Sequence, residues 1–146
     1  MISVDTNILL PAVVLSSPAH KEAAAFIESL QARDDVAICE FILLELYGLL
    51  RNPVVLAKPL SALAAVAICE QFRRHPVWQL IGFPTESRRF HDDLWDALKS
   101  KAIARRRAYD LRAAMTLLSQ GVTEFATINE KDFRNLGFKR VWNPLL

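Results

Sequence analysis

Apolar segments short enough to be β-strands alternate with helical segments along the whole chain. Strands that alternate with helices need crossover connections, and crossovers make neighbouring strands parallel. The predicted fold class is therefore α/β, with a parallel sheet flanked by helices. We predict strands at 1–4, 36–39, 78–81, 124–127 and 140–142, and helices beginning near 8 and 16 and spanning 41–50, 60–74 and 87–119, the last with a break near 105–109.

The size and composition of the chain suit one domain. Its 146 residues are 52% apolar and 23% charged, which suffices for one core, and no repeat or linker divides them. We expect a single domain over 1–146. The sequence has neither a G-x-G-x-x-G motif nor a P-loop, which excludes dinucleotide binding and ordinary NTPase chemistry. A formal charge of +2 neither requires nor excludes a nucleic-acid partner.

The N-terminus and the cysteines indicate an intracellular protein. No basic segment precedes the first apolar residues, and no apolar run reaches the roughly 18 residues that span a membrane. Cys39 and Cys69 form no C-x-x-C pair and are too few for a zinc site or a disulfide framework. We expect a cytoplasmic protein without a membrane partner, in which both thiols are reduced and buried.

Asp5 is the first candidate site residue. It follows the first strand and precedes Thr6 and Asn7, either of which could cap the next helix. Ligands of open α/β sheets bind in the crevice beyond the carboxyl ends of the strands. We therefore expect Asp5 to lie in such a crevice.

Two further acids lie on apolar helical segments. Glu45 interrupts the apolar run 41–50, so its carboxylate should be partly desolvated, at a cost that a metal ion or an arginine would offset. Asp110 precedes an inward-facing stripe at 113, 114, 117 and 118. Each has a plain structural alternative, which is a salt bridge or rim position for Glu45 and a dipole-complementing first-turn acid for Asp110.

The order of these acids is more specific than any one of them. An aspartate at a strand end, a glutamate on an apolar helix and an aspartate at a helix start are followed by Thr127-x-Asn129-x-x-Asp132-Phe133. In this order the chain resembles the PIN-domain family over essentially all of its length. It is most similar there to the VapC-like toxins of prokaryotic toxin-antitoxin pairs, including the terminal Val141-Trp142-Asn143-Pro144.

The resemblance implies a fold, a reaction and partners. Members of the family are three-layer α/β/α sandwiches around a parallel sheet, and their acids bind Mg²⁺ or Mn²⁺ to cleave RNA. A VapC-like protein is an endoribonuclease that a cognate antitoxin inhibits, and a homodimer is expected. By position, the catalytic and metal-binding acids of the family are matched by Asp5, Glu45 and Asp110, and the polar residues that accompany them by Thr6, Asn7 and Thr127.

The fourth acid departs from the commonest pattern of the family. Many members carry aspartate where Asn129 stands, and others carry asparagine there with an aspartate at the position of Asp132. We expect Asp132 to be the fourth carboxylate and metal ligand. Asn129 brings no charge, and we expect its amide to contact a phosphate or a water molecule.

Carboxylates suit phosphodiester hydrolysis because Mg²⁺ prefers oxygen ligands and keeps several waters. One ion lowers the pKa of the attacking water, and a second ion about 4 Å away steadies the leaving oxygen. We expect Asp5, Glu45 and Asp110 to lie within the reach of one ion. The expected products carry a 5′-phosphate and a 3′-hydroxyl.

Basic residues that could bind RNA phosphates precede Asp110. Arg105, Arg106 and Arg107 are the predicted contacts, within a larger set that an ordinary solvated helix face also explains, because acids alternate with it. Arg112 either supports the acids or faces solvent. The larger set comprises Arg88, Arg89, Lys99, Lys101, Arg105, Arg106, Arg107 and Arg112.

Two other functions compete with a ribonuclease. Because Asn129 lacks a charge, the chain could be a catalytically weakened PIN-like module that binds RNA or a protein without cutting. A structural subunit whose acids make only salt bridges is the third possibility.

Overall fold

Five parallel strands form one sheet in a computed structural model that describes residues 1–100 and 103–146, with the backbone but not the side chain of Arg106. The predicted α/β class is confirmed, with helices on both faces of the sheet. The strands are β1 (Ile2–Val4), β2 (Val36–Cys39), β3 (Gln79–Ile81), β4 (Glu124–Ala126) and β5 (Arg140–Trp142). The helices are α1 (Thr6–Val13), α2 (His20–Leu30), α3 (Glu40–Leu50), α4 (Ala62–Arg73), α5 (Ser87–Ala97), α6 (Ala108–Ser119) and α7 (Glu130–Phe133), with a 3-10 turn at Arg105–Arg107.

Two of the three inner strands, β1 and β2, are buried on both faces. Every residue of both strands is buried, and Ile2 pairs with Val36 on one side and with Glu124 on the other. Continuous burial is what a parallel sheet between two helical layers requires, because its strands have no solvent face. The edge strand β3 differs, since Gln79 and Leu80 are exposed.

The strand order places a crevice beside β1. The order is β3-β2-β1-β4-β5, so the chain winds to one side from β1 through β3 and then crosses to β4 on the other side. The carboxyl ends of β1 and β4 meet where the winding reverses, which is the usual ligand position in such sheets. Asp5 and Thr127 each follow one of these two strands.

The main core lies between the sheet and helices α1, α2, α3, α4 and α6. A smaller apolar cluster of Phe90, Leu94 and Leu111 joins α5 to α6. Cys39 and Cys69 are free and buried, as predicted. No helix within the described ranges is both long and apolar enough to cross a bilayer.

Several predicted boundaries differ from the structure. The helical stretch 87–119 is interrupted earlier than expected, because α5 ends at Ala97 and α6 begins only at Ala108. The short helix α7 lies where we predict no helix. The apolar run 41–50 forms α3, which nevertheless leaves Leu44 69% exposed. It contacts α1 and α4 and buries only Ile42, Leu43, Leu46 and Leu50.

Candidate active site

Asp5 lies at the junction of β1 and α1. Its backbone is extended, and its Oδ1 accepts a hydrogen bond from Thr6 N at 2.7 Å. A side-chain oxygen in this position caps the helix by satisfying an N–H group of the first turn. Asp5 N also donates to Ala126 O of β4 at 2.9 Å. The carboxylate is thereby fixed at the carboxyl edge of the sheet, as the sequence predicted.

A threonine after the neighbouring strand holds the other oxygen of Asp5. Thr127 Oγ1 donates to Asp5 Oδ2 at 2.6 Å and accepts from Asn7 Nδ2 at 3.1 Å. It also accepts from Asn129 N at 3.0 Å, while Asn7 Oδ1 accepts from Ile128 N at 3.2 Å. Asn7 and Thr127, the predicted supporting residues, therefore share one hydrogen-bond network with Asp5.

Glu45 reaches the site from the middle of α3. Its Oε2 accepts a hydrogen bond from Thr6 Oγ1 at 3.1 Å. Thr6 is buried but Glu45 is exposed, so Glu45 lies at the open edge of the site. No salt bridge involves Glu45 in the part of the chain that the structure describes. The salt-bridge alternative for this residue finds no support there.

Arg107 bridges the other two acids. Asp110 lies in the first turn of α6, and Asp132 lies in α7. The Arg107 guanidinium pairs with Asp110 Oδ2 at 3.4 Å from Nε, and with Asp132 Oδ1 through Nη1. It also lies over the Phe133 ring, 5.6 Å from the ring centroid. Sequence analysis missed this pairing, although the three-residue spacing between Arg107 and Asp110 is a signal for it.

The pKa of Asp5 shows how much negative charge the site holds. Burial raises this pKa to about 6, against the hydrogen bond from Thr127, which lowers it. The charges of Glu45 and Asp110 raise the pKa of Asp5 further. A carboxyl group responds to its neighbours in this way only when they are close and weakly screened.

The same coupling extends to the remaining acids. Partial desolvation raises the pKa of Glu45 although the residue has an exposed edge, and the charge of Asp110 adds to that rise. Burial also raises the pKa of Asp110, where Arg107 opposes the rise and Asp132 adds to it. Asp5, Glu45, Asp110 and Asp132 therefore form one electrostatically coupled set, which only Arg107 partly neutralises among the described residues.

The four acids do not converge on one point. Among the described residues, no three His, Cys, Asp or Glu side chains are close enough together to hold one ion. The expected convergence of Asp5, Glu45 and Asp110 on one ion is therefore not seen in the positions of these side chains. Each carboxylate is held by the chain instead, by Thr127 and Thr6 at the β1 side and by Arg107 at the α6 side. The donor set still fits a hard divalent cation, because all four groups are oxygen donors that repel one another in one crevice.

The predicted phosphate contacts are not equivalent. Arg105 is exposed, whereas Arg107 is turned to the acids. Lys101 and the side chain of Arg106 lie outside the residues that the structure describes. Arg112 stacks on Phe41, with its Cζ atom 4.3 Å from the ring centroid, and makes no described ion pair with the acids.

A groove opens beside the pairing of Arg107 and Asp132. It has a volume of about 490 Å³, and its apolar lining includes Ile103, Leu111 and Leu136. Ligand pockets in proteins commonly have volumes of about 300–1,000 Å³. Asp132 and Arg107 therefore border a concave surface that is large enough for part of a substrate.

Comparison with known proteins agrees with this arrangement. The family model of the PIN domain matches residues 2–139, nearly the whole chain. The chain belongs to the PIN-domain family. Ribonuclease VapC24 of Mycobacterium tuberculosis, found in strains CDC 1551 and H37Rv, is 46% identical to it over 145 residues, covering 99% of this chain and 97% of the relative.

Solved structures show the same PIN-domain fold at lower identity. The VapC20 toxin of Mycobacterium tuberculosis, which cleaves the sarcin-ricin loop, has a TM-score of 0.70 at 18% identity, covering 94% of this chain and 96% of that one. FitAB bound to a DNA fragment has a TM-score of 0.65 at 20% identity, covering 100% and 96%. VapBC2 of Rickettsia felis, bound to a fragment of its promoter, has a TM-score of 0.65 at 19% identity, covering 97% and 98%.

Proposed function

We propose that this protein is a divalent-metal-dependent endoribonuclease of the VapC type. The observation that carries the proposal is the hydrogen-bonded Asp5 carboxylate at the junction of β1 and β4, with Glu45, Asp110 and Asp132 on nearby helices, in a chain that is 46% identical to Ribonuclease VapC24 over nearly its whole length. Like charges gathered in one partly buried crevice are costly unless a cation compensates them. A nuclease uses such a cation to activate water and to stabilise charge on the phosphate.

Mg²⁺ or Mn²⁺ is the proposed ion, and Asp5, Glu45, Asp110 and Asp132 are its proposed ligands. Such an ion, when bound, makes water a better nucleophile and stabilises charge on the phosphate. Carboxylates are the ligands that these hard ions prefer. Asn129 is exposed and carries no charge, so we assign it a contact to phosphate or water rather than to the metal.

The polar residues around Asp5 position it. Thr6 N and Thr127 Oγ1 each donate to one Asp5 oxygen, which fixes the plane of the carboxylate. Asn7 in turn holds Thr127 by donating to its Oγ1. A ligand whose orientation is fixed in this way loses less conformational freedom when it binds an ion.

Arginines beside the acids are the proposed contacts to RNA. Arg105 is exposed next to the site and is the first candidate for a phosphate. Arg106 and Arg107 adjoin it in the sequence. Each phosphate contact makes binding weaker as salt rises, because it releases counterions.

A cognate antitoxin is the proposed protein partner, and a homodimer is the proposed assembly, with residues 1–146 as one domain. VapC-like proteins are toxins of toxin-antitoxin pairs, and the fold neighbours include the VapC20 toxin and VapBC2. Light scattering of the purified chain, alone and with the protein encoded beside it, tests the assembly and the partner together. A monomeric chain that does not bind that protein would contradict both the homodimer and the antitoxin partner.

The activity is tested by incubating the purified protein with a pool of structured RNAs in Mn²⁺ or Mg²⁺. Parallel reactions contain EDTA or the variants Asp5→Asn and Glu45→Gln. We expect cleavage that depends on the metal and is lost in both variants. Cleavage that persists in EDTA, or in Asp5→Asn, would contradict the proposal.

A non-cutting RNA-binding module is the second candidate. The observation that favours it is that each of the four carboxylates already has a partner in the chain. RNA binding without cleavage by a protein that demonstrably binds Mn²⁺ would support this candidate over the nuclease.

A further inference from the structure

The Arg107 side chain is more enclosed than the acids it bridges. It is 22% exposed, compared with 38% for Asp110 and 39% for Asp132. The Arg107 side chain is therefore less open to solvent than either carboxylate that it pairs with. A cation in this position pairs with the two acids, and it is not free to bind an incoming phosphate while that pairing lasts.

Arg107 is held unequally by the two acids, because its Nη1 is in close contact with Asp132 Oδ1 while its Nε reaches Asp110 only loosely. The 3.4 Å contact between Nε and Asp110 Oδ2 is longer than the roughly 2.7–2.9 Å of a charge-assisted hydrogen bond. Nε is buried and has no hydrogen-bond partner among the described residues. A buried donor without a partner destabilises the state that contains it, so the contact with Asp110 is the weaker part of the Arg107 pairing.

From these two observations we infer that Arg107 is a resident counter-ion of Asp110 and Asp132, and that a divalent cation must displace it in order to bind both acids. The inference rests on the proposed function, because it takes the two acids as metal ligands. A guanidinium and a divalent cation repel each other, and they compete for the same carboxylate oxygens. Displacement would free Asp110 and Asp132, the two acids that Arg107 holds.

The inference assigns Arg107 a positioning role in the metal-free protein. Its predicted role on RNA phosphate then belongs to the metal-bound protein, in which the guanidinium has been released. Metal binding and phosphate binding would thus be coupled through one side chain, and such coupling is reciprocal.

The test is calorimetric titration of Mn²⁺ into the EDTA-treated, dialysed protein in physiological salt. Arg107→Gln is compared with wild type and with Arg105→Gln, the matched control. Arg105 lies in the same turn, is exposed and makes no described ion pair. It therefore reports the general effect of removing one nearby positive charge, which salt screens.

We expect Arg107→Gln to bind Mn²⁺ at least about fivefold more tightly than wild type, within the usual range of coupling between sites. Arg105→Gln should stay within about twofold. Equal or weaker binding by Arg107→Gln, while wild type binds Mn²⁺ and cleaves RNA, would overturn the inference and leave the proposed function intact. Absence of Mn²⁺ binding by wild type would overturn both.

Arg107→Lys provides a second variant in case Arg107→Gln does not fold. Lysine keeps the charge but presents one ammonium group and cannot fork across two carboxylates. Its Mn²⁺ affinity should fall between those of wild type and Arg107→Gln. An affinity below that of wild type would mean that Arg107 organises the metal site instead of competing for it.

Displacement is also visible directly by NMR. The Nε–Hε signal of Arg107, assigned by its absence in the variants, should shift and sharpen towards that of a mobile arginine when Mg²⁺ is added. A signal that stays in place while Mg²⁺ binding is saturated would contradict displacement.

Discussion

Thr127 Oγ1 donates to Asp5 Oδ2 at 2.6 Å, which joins the residues that follow two neighbouring strands. The same hydroxyl oxygen accepts from Asn7 and from the backbone of Asn129. One fully buried side chain therefore positions the carboxylate, a residue of α1 and the loop before α7. It also lowers the pKa of Asp5 against the effect of burial.

Replacing this threonine should weaken both the fold and the site. Thr127→Val keeps the shape of the side chain but removes a donor to Asp5 and an acceptor of two N–H groups. The free energy of unfolding should fall by about 1–3 kcal/mol, because buried polar groups lose their partners. Urea denaturation measures this loss.

Thr116→Val is the control for Thr127→Val. Thr116 is also fully buried, but its Oγ1 donates only to Arg112 O within α6, at 2.7 Å. We expect the free energy of unfolding to fall by less than about 1 kcal/mol, with RNA cleavage unchanged. Equal effects of the two substitutions on cleavage would contradict the positioning role of Thr127.

Asp5→Asn should stabilise the metal-free protein at neutral pH. The folded-state pKa of Asp5 is raised from 3.8 to about 6, so the native state binds more protons than the unfolded state between these values. The charged form therefore costs stability, fully above about pH 6 and not at all below about pH 4. The free energy of unfolding of Asp5→Asn should exceed that of wild type by up to about 3 kcal/mol at pH 7.5, and the difference should vanish near pH 4.

Urea denaturation in EDTA at pH 7.5 and pH 4 measures this difference. Asp34→Asn, at an exposed aspartate outside the site, is the control and should give no such gain at either pH. A loss of stability in Asp5→Asn at pH 7.5 would contradict the account of Asp5 as a partly buried charge that costs stability.

The fourth acid can be assigned with one pair of variants. Asp132→Asn should lower the rate of RNA cleavage roughly 100-fold or more, because it removes a charged ligand. Asn129→Ala should change the rate by no more than about threefold, since Thr127 holds the Asn129 backbone and not its side chain. Single-turnover cleavage assays compare them, and the reverse order would move the fourth ligand to Asn129.

Metal removal should lower the thermal stability of the protein. An ion at a hundredfold excess over its Kd stabilises the folded state by about 2.7 kcal/mol. At roughly 3 °C per kcal/mol for a chain of this size, Tm should rise by several degrees with Mn²⁺ and return with EDTA. Glu45→Gln should show a smaller rise in Tm with Mn²⁺. A rise equal to that of wild type would show that Glu45 does not bind the ion.

Much of the fold was predictable because its signals are local. Apolar runs bounded by polar residues located β2 and β5 at their observed residues. The residue order at the ends of β1 and β4 located Asp5 and Thr127. These predictions depend on the chain's own periodicity and caps, which act over a few residues.

The features that were not predictable depend on contacts between distant residues. The exposure of Leu44 follows from which side of α3 faces α1 and α4, and a uniformly apolar helix does not specify that side. The pairing of Arg107 with Asp132 joins residues 25 positions apart in sequence. No local sequence pattern contains that pairing.

The chemical nature of the RNA ends tests the central claim most directly. If the acids support attack by water, the products of the Mn²⁺ reaction carry a 5′-phosphate and a 3′-hydroxyl. Ligation-based mapping of both ends, with Asp5→Asn as the inactive control, reads this out. Products with a 5′-hydroxyl and a 2′,3′-cyclic phosphate would show that the RNA's own 2′-hydroxyl attacks, and would contradict the account.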